Sequence, residues 1–184
     1  MARSRYVLAA LVAACSVPAV AGVMVIGNSS ARLCFEAADS PMMPSIRDLR
    51  RCDSAFSEEA LSPYDRVATH VNRGILRLRR GQVDPAIADF DEAMRLDPRQ
   101  PEAYLNKGAA LIRLDDPAEA LRLFTVALEY DTRRPELAHF GRAIANEELG
   151  NVREAYADYR RASELDPDWA DPQTELRRFR IVGR

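Results

Sequence analysis

The chain has 184 residues, 47% of them hydrophobic and 29% charged, with a formal net charge of −2. That length holds one ordinary domain or one short repeat array, and that share of apolar side chains excludes global disorder. A slightly acidic balance excludes a protein whose work is to coat nucleic acid, which needs a basic surface, so no nucleic-acid partner is expected.

The chain opens with Arg3 and Arg5 ahead of an uncharged apolar run over residues 6–27, in which Ala19-Val20-Ala21 follows Pro18 as a small-x-small site. A positive start, a short apolar stretch and such a site describe a secretory signal peptide, residues 1–21, cut after Ala21. Two other readings stay open. Residues 12–15 resemble a bacterial lipobox ending in Cys15, although the residues after it stay apolar. The run 6–27 is also long enough to span a bilayer as an uncleaved anchor. Each reading exports the remainder to the periplasm or cell envelope. The leader style and the arginine- and alanine-rich composition point to a bacterium.

Residues 22–44 read as an N-terminal arm. Cys34 and Cys52 form an even pair beyond the leader, and a disulfide between them is expected in an oxidising compartment. Such a bridge contributes about 3 kcal/mol by loop closure. Two unpaired thiols are the other reading. No metal site is expected, because only His70 and His139 could join the cysteines and no CxxC spacing occurs. Residues 45–64 open with Ser45 and Asp48 spaced as a capping box, and Leu49, Cys52, Phe56 and Ala60 share one face. Phe56 sits 34 residues before Phe90, so this segment reads as the second helix of a degenerate half-repeat.

From Asp65 the chain repeats itself. Gly74 and Gly108, Ala86 and Ala120, Phe90 and Phe124, and Ala93 and Ala127 are each 34 residues apart. Ala155, Tyr159 and Ala162 continue the series at 35. Each unit reads as two helices. The first opening helix, about residues 65–80, stops at Gly81, and Asp84-Pro85 starts the next. Asp116-Pro117 and Asn151 repeat that start, while Pro98 and Pro167 close their units. The units are 65–98, 99–134 and 135–167. A capping helix and tail follow over 168–184, with Leu176 and Phe179 inward and Arg177, Arg178 and Arg180 outward. No helix pair buries its apolar face alone, so stacking supplies the core.

This pattern resembles the tetratricopeptide repeat family. Gly74, Gly81, Ala86, Phe90, Ala93 and Pro98 match it in the first unit. Tyr104, Gly108, Ala120, Phe124 and Ala127 match in the second, with Thr132 in place of proline. Gly150, Ala155, Tyr159, Ala162 and Pro167 match in the third, with Ala143 replacing the first glycine. The resemblance implies an all-α fold: a right-handed α-solenoid of helix-turn-helix repeats closed by a C-terminal capping helix. It implies a non-catalytic scaffold or adaptor that binds a peptide or protein segment in a concave groove. The alternative is a structural component of an envelope assembly, acting through the arm, the anchor or the convex face.

By helical spacing the first helices present Val71, Asn72, Ile75 and Arg79 in the first unit, Leu105, Asn106 and Arg113 in the second, and Phe140 in the third. These are the expected partner-binding residues. An asparagine can pair with the main chain of an extended peptide, and an arginine with its carboxylate. The repeated asparagines also admit a plainer reading, as braces between neighbouring helices. Chaperone-binding family members use a carboxylate clamp of lysines and asparagines. Asn106 matches that clamp, but Val71 stands where a lysine belongs and Lys107 is the chain's only lysine, so this role is rejected. His70 reads as a half-buried packing residue. Asp89, Asp91 and Glu92 read as a solvated face, and residues 77–80 as a solvated helix end. No GxSxG, HExxH, P-loop or dinucleotide fingerprint occurs, so neither catalysis nor a cofactor is expected.

Overall fold

The computed structural model describes residues 22–25 and 29–179; the readings placed on residues 1–21, on 26–27 of the apolar run and on Arg180 lie outside them. Among the described residues there are nine helices and no strand: α1 (Ser30–Asp39), α2 (Ile46–Glu58), α3 (Pro63–Arg79), α4 (Val83–Leu96), α5 (Pro101–Ile112), α6 (Pro117–Glu129), α7 (Pro135–Glu148), α8 (Val152–Leu165) and α9 (Ala170–Leu176). The chain is an all-α solenoid.

Local chemistry sets the helix ends. Ser45 and Asp48 form a reciprocal capping box on α2, with the Ser45 amide donating to Asp48 Oδ2 at 2.8 Å. Ser62 accepts from the Asp65 amide at 3.0 Å, so α3 begins two residues before Asp65, with Pro63 in its first turn. Gln82, not Asp84, precedes α4; Asp84 lies in the first turn, where its charge suits the helix dipole. The turn out of each inner helix needs a left-handed residue. Gly81 (φ 76°) and Gly150 (φ 79°) supply it in the first and third units. Asp115 (φ 59°) supplies it in the second, since aspartate tolerates that region better than most side chains.

The helices pack in pairs, α1 with α2, α3 with α4, α5 with α6 and α7 with α8, and α9 covers the last pair. The core alternates small and large residues. A Cβ on Gly74 would meet the Phe90 ring at 2.4 Å, and one on Gly108 would meet Phe124 at 2.9 Å. Phe124 also occupies the space that a Cβ on Gly141 would need, at 2.4 Å. One ring thus locks α6 against both α5 and α7. At the C-terminal end Phe179 packs edge-on to Tyr156 and Tyr159 at 5.6 and 5.9 Å.

The segment expected to be a plain arm contains α1. Ala31, Cys34 and Ala38 form its buried stripe, and Cys34 is bonded to Cys52 of α2, with their Cα atoms 4.9 Å apart. The half-repeat therefore has a partner helix.

Two surface readings are corrected. Asp89 is only 3% exposed and belongs to no solvated face. It accepts hydrogen bonds from Arg73 (Nη2, 2.7 Å) and Arg77 (Nη1, 2.7 Å), with His70 Nδ1 at 3.1 Å. The arginines of 77–80 are likewise engaged: Arg80 donates to the Pro44 carbonyl at 2.7 Å, beside Arg77 on Asp89.

Candidate functional site

The inner helices α1, α3 and α5 lie side by side, and α5 also contacts α7. Asn72 sits mid-way along this layer on α3, fully buried. Its carboxamide grips a segment far away in sequence. The Val23 amide donates to Asn72 Oδ1 at 2.8 Å, and Asn72 Nδ2 donates to the Val23 carbonyl at 2.8 Å. One carboxamide thus satisfies both polar groups of one residue, the arrangement that an extended chain offers to a neighbouring strand. Burial alternates accordingly: Val23 is 2% exposed, Met24 54% and Val25 6%. Gly22 passes between α1 and α3, where an added Cβ would lie 3.4 Å from both the Phe35 ring and Asn72 Oδ1.

The energies of this contact nearly balance. Burying two valines contributes about 3–6 kcal/mol, and two hydrogen bonds about 2 kcal/mol. Ordering four residues costs about 4–8 kcal/mol. The segment is held, but not by a large margin.

The other predicted groove residues take different places. Val71 and Ile75, beside Asn72 on α3, and Leu105 on α5 are core residues with almost no exposed surface. Phe140 is also core. Its ring meets Tyr159 at 5.5 Å and Trp169 at 4.6 Å, so it seats the cap instead of lining a groove. Asn106 turns back on its own helix and donates from Nδ2 to the Glu102 carbonyl at 2.8 Å. Glu102 in turn accepts from the Arg133 amide at 3.1 Å, which ties α5 to the turn before α7. Asn106 is therefore a brace.

Neither arginine waits for a carboxylate. Arg79 donates to the Ser40 carbonyl at 2.7 Å, to Ala38 at 3.3 Å and to Met42, closing the end of α1. Arg113 donates to the Leu78 carbonyl at 2.6 Å, at the end of α3. Both follow the rule that cations suit helix C-termini. Burial lowers both guanidinium pKa values from the usual arginine range.

The sequence reading missed Val23, Val25 and Phe35. The alternation of Val23, Met24 and Val25 was legible, but it lay inside an apolar run with a sufficient explanation as a leader. Among the described residues no group of three or more histidines, cysteines or carboxylates could hold a metal ion.

Polar clusters brace the outer side. His70, Arg73 and Arg77 meet Asp89; Arg73 also reaches Asp53 at 2.8 Å and lies over the Phe56 ring at 4.5 Å. The third unit repeats the cluster, with His139 Nδ1 2.7 Å and Arg142 Nη2 2.8 Å from Asp158. Burial pushes both aspartate pKa values up, but the hydrogen bonds and positive charges outweigh it and hold each below the ordinary value.

Comparison with known proteins supports the repeat. Family profiles described as tetratricopeptide repeat match residues 71–136 and 136–169. A DnaJ homolog subfamily C member 7 homolog from Schizosaccharomyces pombe is 34% identical over 114 residues, covering 60% of this chain and 24% of that protein. The chain spans about a quarter of the length of the curated relatives it matches. The first TPR of Spaghetti (RPAP3), solved bound to the HSP90 peptide SRMEEVD, superposes with a TM-score of 0.58 at 28% identity, over 61% of this chain and 89% of that one. The Arabidopsis OM64 TPR domain gives 0.62 at 25% identity, over 66% and 100%.

Proposed function

The chain belongs to the tetratricopeptide repeat family, whose domains are protein-interaction modules, and from that membership we propose that it is a non-catalytic adaptor of the bacterial cell envelope that takes an extended segment of a partner protein on its inner face. One observation carries the reading: Asn72 holds both main-chain groups of an extended residue on that face. The first TPR of RPAP3, solved bound to an HSP90 peptide, supports a peptide ligand for a related fold. That peptide is acidic, whereas the arginines of this face are taken by carbonyls, so the partner segment here is of another kind.

Export is supported by the basic start, the apolar run and the bonded cysteines. The seating of residues 22–25 bears on the anchor reading. With those four residues docked, the apolar run keeps sixteen residues, 6–21. That is fewer than the ~20 consecutive apolar residues a spanning segment needs. A cleaved leader fits this better than a retained span. No helix among the described residues is long and apolar enough to cross a membrane.

The test is cross-linking of the C-terminally tagged full chain in its own cells, followed by purification. Asn72→Ala is compared with Arg160→Glu, a change of an exposed residue on α8. Loss of the partner in Asn72→Ala alone is expected. A partner retained in Asn72→Ala and lost in Arg160→Glu moves the function to the outer face.

A further inference from the structure

We propose that residues 22–25 are a built-in occupant of the inner face, and that the ligand which replaces them is an uncharged, extended segment with β-branched apolar side chains at alternate positions. This rests on the reading of that face as a peptide site. The occupant is visible and its chemistry is specific. Asn72 selects an extended main chain, because both of its amide atoms are used by one residue. The two inward positions are both valine, and the outward Met24 is free to vary. At Gly22 an added Cβ would already be in contact with Phe35 and Asn72, 3.4 Å from each, so a small residue suits that position. Phe35, which lies against Gly22, offers no charge, and Arg79, two turns along α3 from Asn72, has its guanidinium on the carbonyls of Ala38 and Ser40. An acidic ligand finds no free partner among these residues, whereas a copy of the chain's own segment finds all of its contacts. Because the docked segment is held by a small margin, a second segment of the same chemistry can exchange with it.

The probe is a fluorescein-labelled synthetic peptide, Gly-Val-Met-Val-Ile-Gly-Asn, which copies residues 22–28. Its affinity is read by anisotropy on the chain as the cell processes it, and on the same chain carrying Val23→Ser and Val25→Ser. The double variant is expected to bind at least tenfold more tightly, since its own segment no longer competes. Adding Asn72→Ala is expected to remove that gain, and a probe with both valines replaced by aspartate should not bind. A chain with residues 22–25 replaced by Gly-Ser-Gly-Ser guards against a folding artefact; it should melt cooperatively and bind the probe as the double variant does. Equal binding to the unmodified and double-variant chains would show that the segment does not occlude the face. No binding to either emptied chain, with melting intact, would show that the contact is no ligand site. The two readings fail separately. A cross-linked partner that depends on Asn72 but is not competed by the probe leaves the peptide site standing and removes this ligand chemistry. A partner independent of Asn72, beside a probe that binds as expected, does the reverse.

Discussion

The first and second units place an asparagine at the same point of the inner helix, 34 residues apart, and use it differently. Asn72 reaches out to the main chain of Val23, while Asn106 folds back onto Glu102. The outer side differs in the same way. The first unit gathers His70, Arg73 and Arg77 around buried Asp89. The second has Tyr104, Lys107 and Leu123 at the positions matching His70, Arg73 and Asp89; Leu123 is buried among apolar neighbours, and Lys107 reaches Asp91 across to α4. A repeat position therefore decides where a side chain stands. What it binds depends on whatever the neighbouring segment offers.

The sharpest way to break the comparison is Asp89→Ala. It leaves two arginines and a histidine facing an emptied site, and about 3 kcal/mol of stability should be lost. The checking measurement is the urea midpoint, and a loss no larger than that of a surface substitution would reduce the cluster to decoration. Adding Arg73→Ala, Arg77→Ala and His70→Ala to Asp89→Ala should recover part of the loss, because no buried charge is left unpaired; Asp53, which loses Arg73, is exposed to water.

Acid should distinguish the units by the same chemistry. Asp89 and Asp158 are held below their ordinary pKa, so their stabilising effect is complete above that ordinary value and is lost as pH falls through the depressed folded values. Melting temperature should fall over this acidic window, and the fall should shrink in a chain carrying Asp89→Asn and Asp158→Asn. An unchanged acid limb would mean that other carboxylates govern it.

Asn72→Ala and Asn106→Ala make a matched pair. The first leaves the Val23 amide and carbonyl without their partner, costing about 1–3 kcal/mol locally. Hydrogen exchange at Val23 should accelerate in Asn72→Ala and stay unchanged in Asn106→Ala. Equal effects would mean that both asparagines merely brace their helices.

The smallest effect belongs to Lys107→Ala. Its pair with Asp91 is partly open to water, since the Asp91 side chain is 50% exposed, so the change should cost under about 1 kcal/mol. A larger loss would show that the second unit depends on this pair as the first depends on Asp89.

Much of the array could be read from the chain itself. The period of small and aromatic residues pairs Gly74 with Phe90 and Gly108 with Phe124, and such complementarity between adjacent helices is local enough to appear in the spacing. The helix starts at Ser45 and Asp116 and the left-handed turns at Gly81 and Gly150 are local too, because caps and turns involve residues a few positions apart. The site was less legible. Asn72 stood out as a residue able to hold an extended chain, but its partner lies 49 residues earlier and no period marks a contact of that range. Arg79 and Arg113 looked available because the carbonyls they cap belong to other helices. By itself, then, the sequence determined the repeat, its helices and their packing register, since each rests on neighbours one helix or one unit away. Only the tertiary structure decided which polar groups remain for a ligand, since that depends on which distant backbone arrives beside them.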